Sequence, residues 1–278
     1  MALSILNNIP SLVAQNQLSV TNQNLQKTLF RLSSGSRINS GADDAAGLAI
    51  ADGLRANETA LSQSSQNASN GVGALQVADG ALAQVTTLLN RAVTLATEAS
   101  TGTVSTAQRG ALDAEFVQIK AEIDRIGSTT TFNGTSVFSA STTSIFLSDA
   151  NSSSQIGVTV GTIASTAITN GSSTANLSAD DLTTAAHAQT ALTDINTAIA
   201  NVAGIRGSIG AGINRLQSAV NVINAQVQNL TSAEDGIRAA DIPSEVANLS
   251  RYTILNQSGI SALAQANSTQ QSVLNLLR

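Results

Sequence analysis

The sequence predicts a mainly α protein, a long antiparallel coiled-coil helical bundle with a small β-hairpin region and paired terminal helices. Three observations carry this. Leu54, Leu61, Ala68, Leu75, Leu82, Leu89 and Ala96 recur at seven-residue spacing, and Ile195, Val202, Ile209, Leu216, Ile223, Leu230 and Ile237 do the same. A sustained seven-residue apolar repeat places one seam on a helix and demands a partner helix to cover it. Between the two runs, residues 128–177 lose the helical period and become rich in Ser, Thr, Gly and Asn. Outside the runs lie two further segments of similar length, 1–34 and 243–278, each with an apolar stripe and few charges.

Taken in chain order, the first segment is amphipathic through Leu18, Leu25, Leu29 and Leu32, with Lys27 its only charge before Arg31. A long helix over 43–100 follows. Asp43 and Asp44 suit its electropositive start, Ser100-Thr101-Gly102 ends it, and Ala78, Val85 and Ala92 reinforce its seam. Gly71, Gly73 and Gly80 lower its intrinsic propensity, so packing must hold it. Ser105 and Gln108 stand in capping-box spacing at the head of a helix over 105–126, with Leu112, Phe116, Ile119, Ile123 and Ile126 on one face and Gly127 as its stop. Residues 144–148 and 155–160 read as two strands around Asp149-Ala150-Asn151-Ser152, whereas 161–177 is too poor in apolar mass for a domain of its own. The third long helix, 178–237, is expected to open at Ser178 with Asp181 as its capping pair. Ile199, Ile213, Val220 and Val227 support its seam, with Arg206 and Glu234 as polar interruptions. A new stripe starts near Pro243: Ile242, Val246, Leu249, Ile260, Leu263, Leu274 and Leu277, interrupted by Asn256, Asn267 and Gln270. The expected division is therefore a terminal helical domain from 1–42 and 238–278, and a central domain over 43–237 that contains the three helices and the hairpin region 128–177.

Composition narrows the function. Of 278 residues only 2% are aromatic, with no Trp and a single Tyr, Tyr252, so the core must rest on Leu, Ile, Val and Ala. Charged residues are 11%, against roughly 25% in ordinary soluble domains. A polar surface made mostly of Asn, Gln, Ser and Thr does little to repel copies of itself. The net charge of −5 with no Lys/Arg cluster argues against nucleic acid and against an anionic membrane as partners. There is no Cys and one His, His187, which leaves no nucleophile, base and oxyanion set for an enzyme and no basis for a metal or other cofactor. The N-terminus lacks the basic and apolar regions of a secretory signal, and no run approaches the roughly 20 apolar residues of a membrane helix.

Features that suggest chemistry have plainer readings. Asp43 and Asp44 are neighbours and do not face a common substrate on a helix, so helix-start or joint roles are expected of them. His187 reads as a helix-face position. Gly204 to Gly212 has the look of a phosphate loop but lacks the Lys-Ser/Thr ending and lies inside a heptad run, so close helix packing is expected. Asn133-Gly134-Thr135 and Asn170-Gly171-Ser172 are triplets that so Asn- and Ser-rich a chain contains by chance.

The run from Leu32 to Gly47, Leu-Ser-Ser-Gly-Ser-Arg-Ile-Asn-Ser-Gly-Ala-Asp-Asp-Ala-Ala-Gly, closely resembles the N-terminal signature of bacterial flagellins. Ile123-Asp124-Arg125-Ile126 followed by Thr131-Phe132-Asn133-Gly134, and the ending from Leu263 to Arg278, resemble the same family. The resemblance implies a structural subunit that self-assembles into the flagellar filament for motility, as a helical homopolymer, with a rod-like central domain. It also implies secretion through the flagellar type III export apparatus, an export chaperone and a cap protein as partners, and an extracellular location. The assembly contacts expected from the stripes are Leu18, Leu25, Leu29, Leu32, Leu249, Ile260, Leu263, Leu274 and Leu277. Arg91, Leu95 and Glu115 match positions by which similar flagellins are sensed by a host Toll-like receptor, and all three are expected outside the apolar seams. Between Phe138 and Ser178 there is room for a hairpin and little else, so the outer variable domains of larger flagellins are absent. A hook-filament junction protein and a type III secreted translocator or adhesin are the alternatives.

Overall fold

The computed structural model describes residues 8–139, 142–148, 155–170 and 173–276. Its long elements are α1 (Ile9–Ser34), α2 (Ala45–Ala99), α3 (Thr106–Thr129), α4 (Ala185–Arg238) and α5 (Ile242–Leu276), with short strands between α3 and α4. The chain forms two compact units. Met1–Ala56 with Asn229–Arg278 make unit 1, and Asn57–Gln228 makes unit 2.

Unit 2 is organised by the two heptad seams. Leu61, Ala68, Leu75, Leu82, Leu89 and Ala96 of α2, and Ile195, Val202, Ile209, Leu216 and Ile223 of α4, are all at most 4% exposed. The helices run antiparallel: Gly71 faces Leu216, Gly212 faces Leu75, and the Arg206 guanidinium pairs with Asp79 at 2.8 Å. Ala78, Ala92, Ala99, Ala188, Ala191 and Ala198 are fully buried, and these short side chains allow the close approach that a core almost without rings requires. α3 lies against α2, with Arg91 bridged to Glu115 at 2.7 Å and Arg109 donating to the Ala99 carbonyl at 2.8 Å. Phe116 and Ile123 fill the space between them. By length and composition α2 could cross a membrane, with a mean hydropathy of 1.2 over its most apolar window. Its seam, however, is already covered within unit 2, and that explains its apolar composition.

The helix ends follow local chemistry, in two places against expectation. The capping box at α3 is present: Ser105 Oγ accepts from the Gln108 amide at 3.3 Å, and Gln108 Oε1 accepts from the Ser105 amide at 2.9 Å. Gly127 does not stop this helix, which continues to Thr129; a Cβ there would fall 1.7 Å from the Ile163 carbonyl oxygen, so glycine is needed where a strand crosses. α4 starts at Ala185 rather than Ser178, with Thr184 Oγ1 accepting from the His187 amide at 3.1 Å. Leu177 and Leu182 are both fully buried. On a helix, positions five apart diverge by about 140°; 178–184 is instead non-helical, which lets both leucines reach the same core.

The strands complete the unit. β1 (Thr131–Phe132) and β2 (Thr135–Ser136) form a tight hairpin through Asn133 and Gly134, whose φ values of 50° and 76° are those an Asn-Gly turn supplies at least cost. β3 (Thr143–Phe146) and β4 (Gln155–Val158) pair antiparallel with Ile145 opposite Ile156; β4 lies inside the bounds expected and β3 starts one residue before them, and the expected turn at 149–152 lies outside the described residues. The strands seat on glycines, Ile145 over Gly71 and Val158 over Gly212. β5 (Ile163–Ala164), β6 (Ala167–Thr169) and β7 (Thr174–Ala175) make a three-stranded sheet in a region expected to lack one. Ile163, Ile168, Ala175 and Leu177 are at most 2% exposed and join the helical core, so the sheet borrows the apolar mass it lacks. Asn201, 1% exposed, satisfies that sheet's backbone by donating to the Ile168 carbonyl at 2.9 Å.

Leu216→Asp would bury an unpaired charge in the seam at a cost of several kcal/mol and should abolish the far-UV helical signal of unit 2. Val222→Asp, on the same helix but 58% exposed, should leave it unchanged. A native spectrum for the first variant would contradict the seam.

Candidate assembly surface

Unit 1 is built on the pairing of the terminal helices. α1 begins where Asn8 accepts a hydrogen bond from the Ser11 amide at 3.0 Å with Pro10 in the first turn, and it ends at Gly35, whose φ of 68° is a left-handed cap. α5 begins after Asp241, with Pro243 and Glu245 in its first turn. The pair is antiparallel along its length. Asn8 donates to the Ala266 carbonyl at 3.3 Å, Leu18 covers Gly259, Asn256 donates to Asn22, and Arg31 bridges to Glu245 at 3.3 Å. Asn256 and Asn267, which interrupt the stripe in the sequence, are thus the polar rungs; Asn267 lies at 3.5 Å from Asn8.

Leu18, Leu25, Leu32, Leu249 and Leu263 are half-buried, whereas Leu29 and Ile260 are 46% and 53% exposed. The side chain of Leu274, and Leu277, lie outside the described residues. On α1 the wholly buried residues are Thr21 and Thr28. At about 100° per residue, Leu18, Leu25, Thr21 and Thr28 share one side of the helix, and Ile9, Leu12, Val13, Val20 and Phe30 occupy the other. Those five are 49–61% exposed. α1 therefore carries two apolar faces, of which α5 covers one. Following the leucine heptads alone misses the second face, although Ile9, Val13 and Val20 stand in the sequence at helical spacing. On α5, Val246, Ile254 and Leu255 are also exposed.

The signature segment forms the joint. Ser36 bridges to Ala239, the Arg37 amide donates to the Arg238 carbonyl at 2.6 Å, and the Ala240 amide donates to the Gly35 carbonyl at 3.0 Å. Ile38 beside them is 1% exposed. Asp43 and Asp44 divide their roles. Asp44 caps α2 by accepting from the Gly47 amide at 2.9 Å. Asp43 instead takes Lys27 of α1 at 2.6 Å and the amides of Ser40 and Asn39 at 3.2 and 3.4 Å. The Lys27 hydrogen bond, with those of Asn39 and Ser40 against a smaller burial effect, holds the Asp43 carboxyl at about 2, below its ordinary 3.8.

The three expected receptor contacts separate. Arg91 and Glu115 form an exposed bidentate pair at 2.7 and 3.0 Å. Leu95 is fully buried, contrary to the expectation that it lies outside the seams: Leu88, Ala92, Leu95 and Ala99 form a second stripe of α2 that packs in the same core as α3. His187 Nδ1 sits 2.9 Å from the Asp181 carboxylate. Among the described residues no group of three His, Asp or Glu is placed to hold a metal.

A family model described as the bacterial flagellin N-terminal helical region matches residues 5–143, and one described as the bacterial flagellin C-terminal helical region matches residues 192–277. The chain is 36% identical to the flagellin of Halalkalibacterium halodurans and 35% identical to flagellin FlaB2 of Treponema pallidum, in each case over 98% of both chains. A crystal structure of Bacillus cereus flagellin, 31% identical, aligns with 61% of this chain and 94% of its own at a TM-score of 0.48.

Because Asp43 has a lowered pKa, its stabilising effect on the joint is complete above the unfolded value near 4 and is lost as the pH falls toward about 2. Tyr252, in α5 and the sole Tyr of a chain without Trp, reports on unit 1 by its fluorescence. Asp43→Asn should lower the thermal midpoint seen by Tyr252 at pH 7 and flatten its dependence on pH between 4 and 2; an unchanged profile would remove Asp43 from the joint.

Proposed function

This chain belongs to the bacterial flagellin family, and from that membership and the geometry of its terminal helices we propose how it assembles. It is a structural subunit of the flagellar filament, a helical homopolymer that serves motility, and it is not an enzyme. Flagellin relatives that match nearly its whole length disfavour a hook-filament junction protein and a translocator or adhesin.

Unit 1 is the assembly domain and unit 2 the rod. The observation that supports this division is the second apolar face of α1, through Ile9, Leu12, Val13, Val20 and Phe30, which the chain's own α5 leaves open. Leu18, Leu25, Leu32, Leu249 and Leu263 hold the terminal pair together, Leu29 and Ile260 extend its outer surface, and Leu274 and Leu277 follow in the same stripe of the sequence. In the filament this outer surface meets neighbouring subunits, and covering the exposed half of each aliphatic side chain contributes about 1 kcal/mol. Before assembly the same surface is a liability, which is the reason for an export chaperone. Secretion runs through the type III export apparatus, and the cap protein receives the subunit at the growing tip outside the cell. Arg91 and Glu115 offer an exposed charged patch to a host Toll-like receptor, with Leu95 acting from beneath by packing.

Val13→Asp with Val20→Asp should leave the Tyr252 signal and the helical content intact, because both residues face away from α5, yet stop filament growth from seeds in electron micrographs. Deleting residues 1–32 or 246–278 should also stop growth while unit 2 stays folded; filaments from any of these variants would overturn the assembly surface. For the receptor, Arg91→Ala with Glu115→Ala should reduce signalling by the monomer at least tenfold, and full signalling would discard that contact.

A further inference from the structure

The apolar seam of the terminal pair does not determine its own register. Leu18, Leu25 and Leu32 of α1 are half-buried at seven-residue spacing, and so are Tyr252, Gly259 and Ala266 of α5. In the structure Leu18 lies over Gly259, where a Cβ would fall 3.2 Å from the leucine Cδ1. Counting by seven from that contact, Leu25 stands level with Tyr252 and Leu32 with Glu245. A slip of one heptad would put Leu18 level with Ala266, Leu25 with Gly259 and Leu32 with Tyr252. Every leucine would still meet an apolar or small residue, and Leu32 would exchange an acid for a ring. The chain itself does not forbid this. Segment 35–44, which joins α1 to α2, is turned at Ser40–Asp43 rather than extended, so it can lengthen to follow a shift of seven helical residues, about 10 Å.

What distinguishes the observed register is polar. Asn256 stands midway between Leu249 and Leu263 at seven-residue spacing, half-buried as they are, and its amide donates to Asn22 Oδ1. Nine residues along α1 from Asn22, Arg31 bridges at 3.3 Å to Glu245, which is only 9% exposed. After the slip Asn256 would stand beside Leu29 and Asn22 beside Leu263, while Arg31 would come level with Tyr252 and part from Glu245. A polar residue in a helical seam weakens adhesion and rejects the registers in which it has no partner. We propose that the Asn22–Asn256 and Arg31–Glu245 contacts set the register of α1 on α5, the leucines supplying adhesion alone. The consequence for assembly rests on the reading of unit 1 as the assembly domain. A slip of one heptad would carry Ile9, Val13 and Val20 about 10 Å past Val246, Ile254 and Leu255, so a different outer surface would be offered to the next copy.

The chain has no Cys, so introduced pairs report the register in the full-length monomer. Leu18→Cys with Gly259→Cys should form a disulfide in the observed register, and Leu25→Cys with Gly259→Cys in the slipped one. In an otherwise unaltered chain the first should be favoured about tenfold in a glutathione buffer. Adding Asn22→Leu, Asn256→Leu, Arg31→Leu and Glu245→Leu should bring the two yields to within about threefold of each other. Replacing the first two of these by Asn22→Asp and Asn256→Lys should restore the preference. A preference unchanged by the four leucines would assign the register to the backbone bonds of the joint and overturn the proposal. Loss of both disulfides would overturn it equally, because the polar contacts would then be adhesive. Filament growth from seeds is read separately: a slipped variant that still elongates would contradict the assembly reading and leave the register assignment standing.

Discussion

A helix with two apolar faces needs two partners, and α1 finds only one in its own unit. α5 covers the side that carries Leu18, Leu25, Thr21 and Thr28. The side that carries Ile9, Val13, Val20 and Phe30 is left to water. Ordering a backbone costs roughly 1–2 kcal/mol per residue, and a helix pair that buries one line of side chains from each member recovers little more than that. The scarcity of charge follows from the same constraint. Lys27 and Arg31, the charges of α1, are placed where Asp43 and Glu245 neutralise them, which spares a subunit interface on α1 the desolvation of unpaired ions.

Unit 2 meets the opposite requirement. Its seams are satisfied within one chain, with alanines at the helix crossings and glycines wherever a strand presses on a helix, as Ile145 does on Gly71 and Ile163 on Gly127. Asn201 enters this core and is matched by the β6 carbonyl, while Asp79 pairs with Arg206 at its exposed edge. The signature segment from Leu32 to Gly47 adds little to either seam; among its described residues Ile38 alone is fully buried. Its left-handed Gly35, its backbone bonds to 238–240 and its two aspartates with separate roles make it a joint, and a joint depends on local hydrogen bonds rather than on area.

The long helices were legible because seven-residue spacing is a direct consequence of helix geometry, and the buried positions from Leu61 to Ala96 and from Ile195 to Ile223 match it residue for residue. The capping box at Ser105 was legible because it is local. What could not be read was set by distant partners. Gly127 has the form of a helix stop and is instead a socket for Ile163; Ser178 has the form of a cap and lies in the non-helical stretch before α4, where Leu177 and Leu182 are both drawn into the core. The sheet of β5, β6 and β7 was missed since its own residues supply too little apolar mass and the helices supply the rest. Leu95 was misplaced because α2 has two stripes, and the one through Leu88 and Leu95 is the shorter and is covered by the same core as α3. On the assembly surface the leucine series was visible and the opposite face was not, although Asn256 and Asn267 already stood out as polar breaks in a stripe.

The dependence of α1 on a second partner is tested most directly by amide hydrogen exchange, comparing the free monomer with the assembled filament. If the outer face is completed by neighbouring copies, protection of α1 and α5 should be low in the monomer and rise by orders of magnitude in the filament, while the amides around Leu82 and Val202 are protected alike in both. Equal protection of α1 in monomer and filament would mean that α5 alone suffices, and the open face would then have no part in assembly.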